Sequence, residues 1–413
     1  MSLVDPLLLV DPAAYAKHGY PYESWAKLRR ESPVHHFSPE GWLPFWALSK
    51  HEHMVEVSKQ PDVFLNEPGM TFVPLLDGEV QAQIPIRTII NMDPPDHKKF
   101  RKVVSAYFTP RAVGKLQGLI DKTATDLVEG MGEEGEMDFI TEIASIHPLK
   151  IIARILGVPE EDEPFILRLT NELFGNADPE FQRDPDRLAA MTSLFGEFWE
   201  YFGKIMEDRR ANPQDDLASV IANAKIDGEP MGELETMGYC LISFTAGHET
   251  TRGSIGGGLE ALIENPAAMQ QWANDPALTP LAIDEIVRYV TPVNHMVRTA
   301  ARDYELGGQS IREGDKLVLF YASANRDEDI FEDPDVLRID RDPNRHLGFG
   351  IGEHFCAGAN LARATSGTLF RELVQHIDEV ELTGTPERIA SNLVPGYKHM
   401  PIRYRMRRKA RAA

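Results

Sequence analysis

Cysteine is scarce in this sequence, with only Cys240 and Cys356 among 413 residues. So few thiols exclude a disulfide framework, a four-thiolate zinc site and an iron–sulfur cluster. They fit a reducing, cytoplasmic compartment. Long apolar runs are also missing. The first one, in MSLVDPLLLVDPAAY, is fenced by Asp5 and Asp11 and is too short and too acidic for a signal peptide or a membrane anchor. Basic residues are outnumbered, 43 against 64 acidic ones, for a net charge of −21. Such a balance is unsuited to nucleic acid, whose phosphates need a basic surface. The one basic run, Arg403 to Arg411, reads as a solvated terminal tail. No repeat, low-complexity tract or Gly/Ser linker marks a boundary, so residues 1–413 are read as one domain.

What the chain does have is ordinary globular composition, 42% hydrophobic and 26% charged, enough to bury a sizeable core. Phe45 to Lys59 reads as a strand followed by a helix. Met70 to Ile90 is rich in Pro, Gly and apolar side chains without a period and reads as an irregular loop. From about Pro95 to Pro280 the pattern is mostly helical. Ala301 to Asp327 carries two β-like runs around Gly307-Gly308, helical character returns near Ala359 to Ile377, and short strands and turns close the chain. The expectation is a mainly α protein with small peripheral sheets.

The most informative segment is HLGFGIGEHFCAGANLARATSG, His346 to Gly367. Gly348, Gly350 and Gly352 precede Cys356 and let the backbone lie flat against something broad. Asn360 to Leu369 reads as a helix, which sets Cys356 just before a helix N-terminus, where the dipole and free N–H groups favour a thiolate. A lone cysteine is ordinarily a small buried hydrophobe. The glycines do not have the dinucleotide-loop spacing. A cysteine hydrolase needs His and Asn/Asp partners that the sequence does not place.

Phe349-Gly350-Ile351-Gly352-Glu353-His354-Phe355-Cys356-Ala357-Gly358 resembles the haem-binding loop of the cytochrome P450 family, F-G-x-G-x-H/R-x-C-x-G. The resemblance implies a P450 fold, helical around a buried haem b, with Cys356 as axial iron ligand, Phe349 beside it and His354 on a haem propionate. Gly350 and Gly358 would line the cofactor. Cys240 matches no ligand position. Of four E-x-x-R instances, only Glu285/Arg288 stands at the family's distance before the cysteine, and Arg341, after Phe331 and Pro334, fits the family's third partner. Glu285, Arg288 and Arg341 are expected to form a buried structural triad; Leu337 replaces an aromatic often found nearby. Arg298, His97 and Arg101 resemble the family's propionate-binding positions.

Ala246-Gly247-His248-Glu249-Thr250-Thr251 resembles the segment of the family's central helix that crosses the distal haem face. Gly247 is expected to leave room for oxygen, and the Thr250 hydroxyl to bond the Ala246 carbonyl and open a groove. By resemblance Thr250 holds water at the oxygen-activation site, and Glu249 relays protons to it. His248 is expected to point away from the iron. Gly157 to Gly175, Ser323 to Asp327 and Pro343 to Gly350 are similar to the α-terpineol hydroxylase group of soluble bacterial members, and the A-G-H-E-T-T-R wording also occurs in bacterial steroid-oxidising members.

The resemblance therefore implies a monooxygenase that inserts one atom of O2 into a terpenoid, steroid or related hydrophobic molecule. Ser243, Phe244, Val293, Asn294 and Met296, with the Met70–Ile90 loop, are the expected pocket residues. With no second nucleotide-binding domain in the chain, electrons would come from an iron–sulfur ferredoxin and its reductase. Lys98, Lys99, Arg101 and Lys102 are the candidate basic patch for that partner. Another P450-type oxidation, such as phenol coupling or a peroxide-driven reaction, and a haem or lipophile binder without turnover are the alternatives.

Overall fold

The computed structural model describes residues 3–69, 71–74, 87–184 and 186–407. Of the Met70–Ile90 loop, Met70 and residues 75–86 lie outside the described residues. The largest sheet has five strands in the order Val34–Phe37, Phe45–Leu48, Lys316–Phe320, His295–Ala300 and Phe64–Leu65. Leu317 to Phe320 are wholly buried. A strand apolar on both faces needs cover on both, and residues of the helices Pro12–His18 and Tyr22–Glu31, Tyr15, Trp25 and Leu28 among them, complete the same core.

The bulk is helical. Glu233–Glu264 spans 32 residues, about 48 Å at the α-helical rise. Its Thr251 to Leu259 stretch is buried on every side, the mark of a helix that runs through a core instead of lying on one. It packs against the helices Ile146–Ile155, Thr279–Val290 and Ala359–His376. The β-like runs around Gly307-Gly308 form a hairpin, Tyr304–Leu306 with Gln309–Ile311. The C-terminal basic run is in part a strand, not a free tail. Pro401–Met406 lies between Ile377–Leu382 and Glu134–Asp138, where Arg403 pairs with Glu136 and Glu381, and Arg405 with Asp378 and Glu379. The acids on the neighbouring strands were available to neutralise it.

One buried charge network holds the chain around the cysteine loop. Glu285 accepts both Nε and Nη2 of Arg288 at 2.7 Å and Nε of Arg341 at 3.0 Å. The Arg338 N–H and Asn344 Nδ2 add two more bonds. The arginines donate onward to the carbonyls of Asn325, Pro334 and Glu332. Both Glu285 oxygens and every guanidinium nitrogen of Arg288 and Arg341 thus have a partner, which such burial requires.

The Thr279–Val290 helix stops at Thr291, which has φ +47°, a conformation costly for a β-branched residue. Three bonds hold it there: its hydroxyl donates to the Arg288 carbonyl and accepts from Asn325, while its carbonyl accepts the Tyr20 hydroxyl. The turn delivers Pro292 and Val293 to the wall described below. Thr291→Val keeps the strain and deletes two of these bonds. It should lower unfolding free energy by about 1–3 kcal/mol, read from denaturant midpoints; an unchanged midpoint would discount the turn's importance.

Candidate functional site

The cysteine loop is shaped by its own backbone. The Cys356 N–H donates to the Phe349 carbonyl at 2.8 Å, closing the loop. Gly352 has φ +77°, and a Cβ there would sit 2.4 Å from the Ser58 carbonyl, so only glycine brings the loop this close to the His51–Ser58 helix. The Arg363 guanidinium stacks 4.4 Å over the Phe349 ring and is itself held by Asp284.

Cys356 opens onto a cavity of about 590 Å³. Burial pushes its thiol up, and the Gly358 N–H, Arg101 and Arg363 pull only partway back. The helix N-terminus that follows therefore does not by itself make a thiolate; an adjacent cation would. The cavity is a slot between two layers. Gly348, Phe349, Gly350, Ala357, Gly358 and the start of Ala359–His376 line one side, and Ser243, Ala246, Gly247 and Thr250 of the central helix line the other.

One rim of the slot is cationic. Arg101 and Arg298 both border it. Among the described residues they make hydrogen bonds to the carbonyls of Phe355 and Val297 and, for Arg298, to Tyr321, with no ion pair. His354 lies on the same rim. Its Nε2 accepts from Asn66 Nδ2 at 2.8 Å, and that amide is fixed by its second bond to Asp93. Burial, helped by His97, Arg298 and Arg101, takes His354 down to about 3. The ring is therefore neutral, and its Nδ1 carries the proton as a donor. The His97 ring lies 4.0 Å from that of His354. Its Nδ1 donates to Glu353, and its Nε2 is buried with no hydrogen-bond partner among the described residues. Two unpaired guanidiniums, a spare imidazole donor and an orphaned ring nitrogen suit a flat ligand carrying two carboxylates.

A scan against family models matches residues 273–392 to the model described as cytochrome P450. Over 408 residues the chain is 38% identical to cytochrome P450-terp of a Pseudomonas species, covering 95% of each. It belongs to the cytochrome P450 family.

This P450 is 36% identical over 395 residues to the steroid C26-monooxygenase of Mycolicibacterium smegmatis, covering 93% of this chain and 90% of that one. Among solved structures it is similar to CYP108D1 of Novosphingobium aromaticivorans, with TM-score 0.88, 36% identity and coverage of 98% and 100%. It is also similar to the Mycobacterium marinum cytochrome P450 CYP268A2 in complex with pseudoionone, with TM-score 0.89, 34% identity and coverage of 97% and 99%. The family's cofactor is haem b, whose two propionates match the cationic rim. Gly358 has open space where a Cβ would stand, and Gly350 meets only one carbonyl, at 3.6 Å, so these two positions leave room on the cavity side for a flat group.

On the central helix the Thr250 hydroxyl donates to the Ala246 carbonyl at 2.7 Å, and Thr251 to that of Gly247 at 3.0 Å. Glu249 is buried and does not border the cavity. Its Oε1 accepts from Arg252, which also donates to Asn171 at 2.9 Å, and its Oε2, 3.9 Å from His248 Nδ1, has no hydrogen-bond partner among the described residues. Burial raises the Glu249 carboxyl against the pull of Arg252. His248 Nε2 donates to the Ser145 carbonyl at 3.0 Å. Gly247 has a packing reason besides space for a ligand: a Cβ there would press 3.0 Å from Ile152 of the neighbouring helix.

Ser243, Val293 and Met296 border the cavity, but two expected pocket residues do not. Phe244 points into the helical core beside Phe202 and His248. Asn294 is wholly buried behind the wall, its Nδ2 shared between the Tyr15 hydroxyl and the Asn392 carbonyl. The proposed basic patch is also smaller than the sequence suggests. Lys99 is paired with Asp227 at 2.6 Å, and Arg101 belongs to the cavity rim. Two wall segments escaped sequence reasoning. Ile151 and Ile152 lie within an ordinary apolar helix, and Ala390 to Val394 carries no period or motif.

Proposed function

We propose that this P450 inserts one oxygen atom of O2 into a hydrophobic terpenoid, steroid or lipid, with electrons from a separate ferredoxin and its reductase. The observation that carries the reading is the slot itself. It joins Cys356 and Thr250 to one chamber walled chiefly by apolar side chains, as small-molecule sites are, with Glu249 next to Thr250 in the chain but behind the wall. The printed names of the relatives, P450-terp, steroid C26-monooxygenase and methyl-branched lipid omega-hydroxylase, supply the substrate classes.

Haem b on a thiolate supplies dioxygen activation, since the electron-rich sulfur favours O–O cleavage. Cys356 provides that thiolate, and Arg101, Arg298, His354 and His97 would hold the propionates. Thr250, with its hydrogen committed to Ala246, keeps lone pairs free to hold a water on the cavity side. Burial raises the Glu249 carboxyl against the pull of Arg252, which suits it to take up and pass on a proton behind the wall that Thr250 lines. No helix among the described residues is long and apolar enough to cross a membrane.

The test is the absorption spectrum of the reduced, carbon-monoxide-bound protein beside that of Cys356→Ser. A strongly red-shifted Soret band that the substitution abolishes supports thiolate ligation; a histidine-type band in the wild type sinks the reading. Product formation with a ferredoxin system then separates a monooxygenase from a binder without turnover.

A further inference from the structure

The unexpected wall segment, residues 390–394, contains a side chain with one use left. Asn392 Nδ2 donates both hydrogens to backbone carbonyls, Val10 at 2.7 Å and Phe72 at 2.8 Å. The Asn392 carbonyl accepts from Asn294 Nδ2 at 2.9 Å and His295 Nδ1 at 3.0 Å. His295 accepts the Phe72 N–H through Nε2 at 3.2 Å, so its ring is neutral with the proton on Nδ1, in keeping with a pKa that burial brings to about 4. Turning the Asn392 amide over would set its oxygen against two carbonyl oxygens, so its orientation is fixed by the network.

Asn392 Oδ1 makes no hydrogen bond to any described residue. It is also not among the sealed, unpartnered atoms, whereas Oδ1 of the adjacent Asn294 is. It therefore keeps accessible surface, and the residue borders the cavity. On the central helix Thr245, Thr250, Thr251 and Ser254 each donate to the carbonyl four residues back, and the Ser243 hydroxyl on the same wall can either donate or accept. Asn392 differs in kind, since with both hydrogens committed it can only accept.

We propose that Asn392 is a preorganised acceptor that selects substrates carrying a hydroxyl on an otherwise apolar skeleton. The proposal rests on the cavity being the substrate chamber of a monooxygenase. A hydroxyl can donate to Oδ1 in place of water. A ketone or ether occupying the same place displaces that water and returns no hydrogen bond. The side chain is already held by its two bonds, and its backbone by two more at the carbonyl, so little ordering remains for the ligand to drive.

The experiment uses the haem-loaded protein and ligand-induced spin-state titration. Matched alcohol, ketone, methyl ether and hydrocarbon sets are compared on monoterpene, steroid and linear alkane skeletons. The expected result is that, on at least one skeleton, the alcohol binds about tenfold more tightly than its ketone and ether, the worth of one neutral hydrogen bond. Asn392→Leu should erase that preference while retaining affinity for the ether. Equal affinity across every set overturns the proposal while leaving the monooxygenase reading intact. A spin state that no skeleton moves removes the substrate reading, and the anchor with it. Should Asn392→Leu fail to load haem, the wild-type comparison still decides.

Discussion

Glu249→Gln is expected to slow product formation by about 10²–10³-fold, within the range of a lost general acid, with substrate affinity unchanged. The separation follows from position: Glu249 lies behind the cavity wall, bonded to Arg252 and with Oε2 free. The amide keeps the size of the side chain and a donor to its surroundings but cannot pass on a proton. The pH profile adds a second signature. Burial raises the Glu249 carboxyl, so its protonated form persists to higher pH than an exposed glutamate's. Wild-type turnover should decline as pH rises through that raised value, and the variant should lose this limb. A rate within threefold of wild type, with the limb retained, would remove Glu249 from proton delivery.

Glu285→Gln should cost about 3–5 kcal/mol of folding free energy, because it leaves two guanidiniums facing a neutral amide inside the protein. Glu285 is wholly inaccessible, Arg288 equally so, and Arg341 nearly so. Breaking the cluster is costlier than never having had it: Arg288 would still lie beneath Phe331 with only carbonyls for company. Chemical denaturation with tryptophan fluorescence measures the loss, and haem retention on gel filtration should fall with it, since Asn344, another Glu285 partner, begins the approach to the cysteine loop. A loss under 1 kcal/mol would show that solvent reaches the cluster.

The parts of the site legible in the sequence were those written as a contiguous pattern. The cysteine loop and the A-G-H-E-T-T stretch each place several side chains by local geometry alone. Orientation was harder to read, although the periods held the answer. Ser243, Ala246, Gly247, Thr250 and Ser254 share one face of the central helix, and Phe244 stands about 100° away from Ser243 at 3.6 residues per turn. Along His295–Ala300, Met296 and Arg298 border the cavity while His295 and Val297 do not; Asn294, which alternation alone would set beside Met296, precedes the strand and is held behind the wall by Tyr15 and Asn392 instead. The Ala390–Val394 wall had no such handle, because its place is set by contacts with residues 10, 72 and 294, far away in the chain. The helix-dipole argument for Cys356 was incomplete for a related reason: sequence shows a helix start but not that the thiol faces a cavity inside the protein, where poor solvation pushes it up.

The slot also separates two of the three apolar clusters. Phe72 and Tyr321 on its walls belong to the sheet-side core, while Ile151, Ile152 and Leu361 belong to the helical one. Left empty, it is a void many times larger than those that truncating a single core residue creates, each of which is already costly. The prosthetic group is therefore as much a piece of the interior as a reagent, and the two halves meet across it. By mass action, each tenfold excess of free cofactor over its dissociation constant adds about 1.4 kcal/mol to the folded state. The melting point of this chain is consequently a property of its cofactor supply as well as of its sequence.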